Sequence, residues 1–313
     1  RGSKVYYPLR FVMETMNYKL GYDLKSNRIS IKAITKAEFP VIIKDEKATY
    51  TFKKPVKSIV SLAPSITEIL FSIGAGDMIV GRTKYCTYPA AAASIKSVGT
   101  LYEPDLEGIL NLKPELVLAA THMNEDVMKM LDKANILTAT QKSPEKIDQI
   151  YTLIENLGVI TGNDYSARAL VSSLKGKVDR ITAIANAIPA NERKTIYYVV
   201  GTGKKEYTAG SDTFINDIFT RAGAVNVAAD TTGWGYTLEK LISHNPEYLF
   251  GEGWAKDSMA ASSNYAALSA LKNDKFVTID GSIFSIPGPR VIDLGMKTVI
   301  EKLYPSYAKR LQY

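Results

Sequence analysis

The chain has 313 residues, 46% hydrophobic and 23% charged, the composition of a soluble globular protein with room for two domains of ordinary size. Its 39 Lys and Arg against 32 Asp and Glu give a net charge of +7 with no basic run of five or more; this does not support a nucleic-acid footprint and suits a lysine-rich surface near an anionic membrane or cell wall. A single cysteine, Cys86, excludes an intrachain disulfide, two histidines, His122 and His244, exclude an HExxH zinc site, and there is neither a GxSxG motif nor a run of about 18 apolar residues to span a membrane.

Residues 1–37 read differently from the rest. Pro8 opens a short helix that Gly21 stops, and Leu20-Gly21-Tyr22 and Arg28-Ile29-Ser30-Ile31 then flank a polar turn at Ser26-Asn27. So short a segment cannot hold a core of its own. Arg1-Gly2-Ser3 reads as a cloning scar, so an upstream targeting segment is expected to have been removed. A second hairpin is expected over residues 38–56, with Val41-Ile42-Ile43 and Thr49-Tyr50-Thr51-Phe52 around Asp45-Glu46-Lys47, closed by Pro55.

From Ser58 the pattern becomes α/β. Ser58 to Leu62 is a short apolar strand. Ser65 is the expected N-cap of a helix over Ile66 to Ile73, with Glu68 completing a capping box and Gly74 ending it; Ile79-Val80-Gly81 is the next strand. The second half repeats this order: a strand over Thr195 to Val200, a helix capped by Ser211 or Asp212 and running through Phe219, and a stop at Gly223. Strand–helix alternation of this kind predicts parallel sheets with helices on both faces. Between the halves, Leu170, Leu174, Val178, Ile181, Ile184 and Ile188 recur at spacings of three and four. They predict one amphipathic helix from Asp164 to Ile188, about 37 Å long and stiff enough to limit closure to small angles.

One phrase occurs twice. Asp105 to Leu118 reads DLEGILNLKPELVL and Thr237 to Phe250 reads TLEKLISHNPEYLF. Leu106/Leu238, Glu107/Glu239, Pro114/Pro246 and Glu115/Glu247 are identical, and four further pairs are apolar in both. The offset of 132 residues is far beyond the period of a solenoid. One α/β unit used twice is the reading: a stalk-like extension at 1–37, an N-terminal lobe at 38–162, a connecting helix at 163–189 and a C-terminal lobe at 190–313.

These residues carry a resemblance. KSIVSLAPSITEILFSIGAGDMIVG, YCTYP, VGTLYEPDLEGILNLKPELVLA, the long helix, TAGSDTFINDIFTRAGAVNV and PGPRVID stand in the order and with the gaps of a periplasmic-type binding protein. The chain resembles the long-helix (class III) group that serves ABC importers of vitamin B12, haem and ferric siderophores, over about Phe39 to Pro305. Residues 1–37 are similar to the end of the stalk modules named after the amino-terminal domain of copper amine oxidases. The resemblance implies two Rossmann-like lobes with a ligand cleft between them, a metal-chelate ligand with no intrinsic cofactor, and delivery to an ABC permease and its ATPase subunits. It also implies an extracytoplasmic protein, a membrane-anchored lipoprotein whose anchoring Cys is not in this chain.

The residues agree with that expectation. Ligands of open α/β sheets lie beyond the carboxyl ends of strands, here the loops after Leu62, Val80, Ala120, Val200 and Phe250. Those loops, with Tyr102 of VGTLYEP, offer Ser65, Arg82, Lys84, Tyr85, Tyr102, His122, Met123, Lys204, Tyr207, Trp234, Tyr236 and Trp254; the chain's two tryptophans both fall among them. Aromatic walls suit large flat ligands. Arg290, aimed by Pro287-Gly288-Pro289, suits a carboxylate or phosphate. His122 with Met123 is the one pair suited to an axial metal position, against the plainer reading of a histidine at a helix start. By the resemblance, Glu107 and Glu239 pair with arginines of the permease; read alone, they are acids in a first helical turn. Gly201-Thr202-Gly203-Lys204-Lys205 fails as a P-loop, since Tyr198 stands where the first Gly belongs and Lys205 replaces Ser/Thr. Arg82, Lys84, Lys204, Lys205 and Arg290 together lean toward an anionic chelate, a ferric siderophore or haem over B12. Two other classes stay open: a metal-cofactor enzyme on a similar scaffold, against which a single Cys argues, and a surface adhesion protein, suggested by the stalk-like start.

Overall fold

The computed structural model describes residues 18–23, 28–33, 37–44, 48–120, 125–203 and 205–311. Two antiparallel hairpins come first. Strands β1 (Tyr18–Asp23) and β2 (Arg28–Ala33) pair with Gly21 opposite Ser30, and β3 (Val41–Lys44) pairs with β4 (Thr49–Phe52). Gly21 therefore lies inside a strand and is not a helix stop; the start of the helix expected after Pro8 lies outside the described residues.

The contacts divide the chain into two compact units, residues 1–142 with 153–173 and residues 143–152 with 174–313. In the first unit β5 (Ile59–Ser61), β6 (Ile79–Arg82), β7 (Leu116–Ala120) and β8 (Thr138–Gln141) form a parallel sheet in the order β6-β5-β7-β8. In the second, β9 (Thr195–Val199), β11 (Val225–Asn226), β13 (Tyr248–Gly251) and β14 (Phe276–Thr278) form a parallel sheet in the order β11-β9-β13-β14. Counted within each unit, both orders are second-first-third-fourth, a doubly wound half with its switch point between the first and third strands. The repeat in the sequence is thus a repeat of topology. The remaining strands, β10 (Glu206–Tyr207) and β12 (Gly235–Tyr236), pair antiparallel as a short ribbon.

The echoed glycines do the same work in both units. Helix α1 (Pro64–Ser72) is followed by Gly74 at φ 77°, and Ala75 N–H reaches back to Leu70 O at 2.8 Å. Helix α6 (Phe214–Arg221) is followed by Gly223 at φ 86°, and Ala224 N–H reaches Phe219 O at 2.9 Å. This is a left-handed stop that a Cβ would strain. The helix starts differ from expectation. Pro64 occupies the first turn of α1, where its missing N–H is no loss; this moves the cap to Ala63, puts Ser65 inside the helix and buries Glu68. Thr213, not Ser211 or Asp212, caps α6 by accepting from Asn216 N–H at 3.2 Å. Ser211 and Asp212 instead bond Thr231 O and Gly233 N–H.

The doubled phrase forms α2 (Leu106–Leu112) and α7 (Leu238–His244) with the strands that follow them. Asp105 caps α2 and Thr237 caps α7 through side-chain oxygens. Both helices end on a left-handed residue, Lys113 at φ 47° and Asn245 at φ 41°. Ile109 and Leu241, the paired apolar positions, are fully buried in their respective cores. Helix α3 (Glu125–Lys133) lies between β7 and β8, and between β8 and β9 run α4 (Ile147–Thr161) and the long helix α5 (Asp164–Asn186). Helix α5 has 23 residues, about 35 Å, and passes from the first unit to the second at Ser173–Leu174.

Candidate functional site

In the first unit the loop after β6 is built on a buried cation. Arg82 is 8% exposed, and its guanidinium donates to the carbonyls of Ala92 (2.8 Å), Thr83 (3.0 Å) and Ala93 (2.8 Å). Its charge pins the turn at Ala90–Ser94 against the strand end and closes the intervening loop at its base. The expected ligand-facing cation is therefore turned inward, because three backbone carbonyls in a desolvated site outcompete solvent for a planar five-donor group. Lys84 and Tyr85 project from that loop, the ammonium 5.2 Å from the ring centroid. Tyr88, which the sequence reading passed over, is exposed on the same loop. Tyr102 is exposed just before α2, and Ser65 is half-buried in the first turn of α1, at the carboxyl end of β5. His122 and Met123 lie outside the described residues.

In the second unit the aromatic residues gather on the β10–β12 ribbon and the loop after β13. Tyr207 and Trp234 are exposed at the ribbon. Trp254, in the first turn of α8 (Gly253–Ala260), is exposed with its indole N–H donating to Glu252 at 2.6 Å. Tyr236 is buried, unlike its neighbours: its hydroxyl meets Val227 O and His244 Nδ1, both at 3.2 Å, so it holds the ribbon down. Arg290 is half-buried and donates to Ser282 O at 3.0 Å. Lys204 lies outside the described residues, while Lys205 is exposed. Gly203, Lys205, Glu206, Thr231 and the segment Gly235–Lys240 line a depression of about 620 Å³ within this unit.

One residue here carries chemistry that the sequence reading passed over. Glu206 is 1% exposed. It accepts from the Tyr265 hydroxyl at 2.6 Å, and Tyr265 in turn accepts from Gly203 N–H at 3.3 Å. Its Oε2 has no hydrogen-bond partner among the described residues. Burial raises its pKa, against the hydrogen bonding of the Tyr265 hydroxyl and the Gly203 N–H, which lowers it. No signal in the sequence pointed to this: in Lys205-Glu206-Tyr207-Thr208 the one apolar residue is Tyr207, yet the structure exposes Tyr207 and buries Glu206.

The two acids of the doubled phrase separate cleanly. Glu115 accepts from Lys54 (2.8 Å) and Lys57 N–H (2.6 Å), and these hydrogen bonds, Lys54 first, hold its carboxyl below the ordinary range. Its own N–H donates to the Ser58 hydroxyl at 3.0 Å, as Glu247 N–H donates to Thr195 at 3.0 Å; Glu247 pairs with Lys194 at 3.2 Å and Lys275 at 3.6 Å. These second glutamates tie each unit's third strand to its first. Glu107 and Glu239, one turn into their helices, are exposed and have no partner among the described residues.

Residues 59–283 match the family described as periplasmic binding protein. The chain belongs to this family. It is 33% identical over 285 residues to an uncharacterized ABC transporter substrate-binding lipoprotein, YvrC, of Bacillus subtilis strain 168, covering 89% of this chain and 90% of that protein. It is 28% identical over 271 residues to a cobalamin-binding protein of Halobacterium salinarum, covering 82% of this chain and 72% of the other. Among solved structures it is similar to a possible iron-binding, periplasmic solute-binding protein of Staphylococcus epidermidis ATCC 12228, with a TM-score of 0.70 and 28% identity over 80% of this chain and all of that one. These relatives are transport binding proteins, and their two-lobed α/β class is that of the fold described above. No helix among the described residues is long and apolar enough to cross a membrane.

Proposed function

We propose that this chain is the extracytoplasmic substrate-binding component of an ABC importer, that its ligand is a metal chelate with a large flat face, and that it binds without catalysis. The observation that carries the reading is aromatic. Tyr85, Tyr102, Tyr207, Trp234 and Trp254 are each at least 43% exposed, and all stand at the carboxyl-end loops of the two sheets. Five large rings held out to solvent on ligand-side loops mark a binding surface, because rings offer contact area with few rotors to freeze. With Ser65 and Lys84 of the first unit and Arg290 of the second, they are the proposed ligand residues.

Charge orders the candidates. Arg82 is committed to backbone carbonyls and Arg290 donates to Ser282, so the positive lining is thinner than the sequence suggested. That favours a corrinoid, followed by haem and ferric siderophores; the similarity to a cobalamin-binding protein supports the same order. Glu107 and Glu239, exposed on the two units, are proposed as the contacts for arginines of the permease. The lipoprotein name of the Bacillus relative supports attachment at the outer face of the cytoplasmic membrane. The test is tryptophan-quenching titration with hydroxocobalamin, haemin and ferric siderophores: saturable quenching by one chelate is expected, strongest with the corrinoid. No saturable response to any of them overturns the proposal.

A further inference from the structure

The β10–β12 ribbon carries two of the proposed ligand residues, Tyr207 and Trp234, yet it is only two residues long on each strand. So short a ribbon needs an anchor. The anchor is Glu206, between Lys205 and Tyr207, whose buried carboxyl joins the Tyr265 hydroxyl and through it the Gly203 N–H. One carboxyl oxygen is satisfied in this way and the other, Oε2, is buried with no partner among the described residues. A carboxylate left so would hold half its charge unsolvated, whereas a carboxylic acid carries a proton there and can donate it to an adjacent hydroxyl. The charge of Glu206 acts on the Tyr197 hydroxyl of β9.

We propose that Glu206 is the positioning residue of this ribbon and holds Tyr207 and Trp234 in place as a neutral carboxylic acid, so that the ribbon loosens when the acid ionises. This rests on the reading of the ribbon as part of the ligand surface. The tyrosine hydroxyls packed around it are held in the protonated form. Tyr197 from β9, Tyr236 from β12 and Tyr265 from the turn Ser263–Tyr265 all have raised pKa values, mainly through burial, Tyr265 to about 12. Asp230 is held ionised by the hydrogen bond from Lys240. Lys205, Glu239 and Lys240 line the depression that Glu206 also lines, and His244 bonds the Tyr236 hydroxyl. The sign follows from the raised folded-state value. The contribution of Glu206 is fully present below the unfolded value and is lost as pH rises through the folded one.

The chain's two tryptophans allow a test that needs no ligand. In Trp254→Phe the remaining emission belongs to Trp234. As pH rises from 5 to 9, that emission is expected to shift to the red and become more accessible to acrylamide. In Trp254→Phe with Glu206→Gln, where the amide keeps its acceptor to Tyr265 but cannot ionise, the pH dependence is expected to be lost; His244 is present in both proteins. In Trp254→Phe with Tyr265→Phe the transition is expected at higher pH, because the lost hydroxyl favoured the ionised form. An unchanged pH response in the Glu206→Gln protein, or none in Trp254→Phe alone, overturns the proposal. Chelate titrations at both ends of the range separate the two readings. A fluorescence transition without chelate binding leaves the anchor standing and removes the ligand surface; binding without the transition does the reverse.

Discussion

Replacing Arg82 by Lys separates a structural cation from a ligand cation. Three charge-assisted hydrogen bonds of 2.8–3.0 Å hold the guanidinium to carbonyls of Thr83, Ala92 and Ala93. Each such bond contributes about 1.5–3 kcal/mol, and an ammonium at the same stem length keeps one of them. Losing two gives roughly 3–6 kcal/mol before relaxation. Ala93 is exposed and its carbonyl regains water, whereas Ala92 is fully buried and its carbonyl does not, so the expected loss is about 2–3 kcal/mol. The assay is urea unfolding of the variant beside the parent, followed by chelate titration in the native baseline. The expected result is an earlier unfolding transition for the first unit, with ligand binding weakened in proportion to the disorder of the Lys84–Tyr85 loop. A variant as stable as the parent but binding its chelate at least tenfold more weakly would refute the reasoning and return Arg82 to the ligand.

Reversing Glu107 and Glu239 together to Lys should leave chelate affinity unchanged, since both are exposed and unpartnered among the described residues, and should abolish stimulation of the transporter ATPase in reconstituted vesicles; normal stimulation defeats the docking proposal. Lys113→Gly should stabilise by about 0.5–1 kcal/mol, the relief of a left-handed residue less the backbone freedom a glycine adds. Asn245→Gly should instead destabilise by about 0.5–1 kcal/mol, because Asn tolerates the left-handed region and its Oδ1 accepts from Ser269 N–H at 2.8 Å; paired urea melts that moved the same way would contradict the contrast.

The fold was largely legible because its signals are local. Gly74 and Gly223 declared the helix stops. Errors came where a neighbour changed the local rule. Pro64 displaced the cap expected at Ser65, and Thr213 took the one expected at Ser211 or Asp212. The candidate site was less legible, since a sequence shows which residue types stand on a loop but not which way they point. Arg82 and Lys84 are two residues apart on the same loop, and only the structure turns one inward and the other out. Strand β6 gave no help there, because a strand covered on both faces lacks the alternation that assigns a side. The ribbon alternates in burial but against its hydrophobicity, with Tyr207 outside and Glu206 inside, so the inward turn of Glu206 is visible only in the structure.

The doubled phrase shows where architecture and function part. Its second glutamates, Glu115 and Glu247, pair with lysines and give their N–H groups to hydroxyls at the start of each first strand, so their identity follows from one topology built twice. The first glutamates, Glu107 and Glu239, are also identical, but no such bond accounts for them. A capped first turn favours an acid on general grounds, yet that preference is satisfied by Asp, or by Glu at a neighbouring position. The two units keep the same acid at the same turn, exposed in both, and packing does not require that; under the docking proposal the requirement comes from outside the chain. A permease that meets both units with the same kind of cation would impose it, while the ligand loops, which do not repeat, answer to a ligand that has no such symmetry.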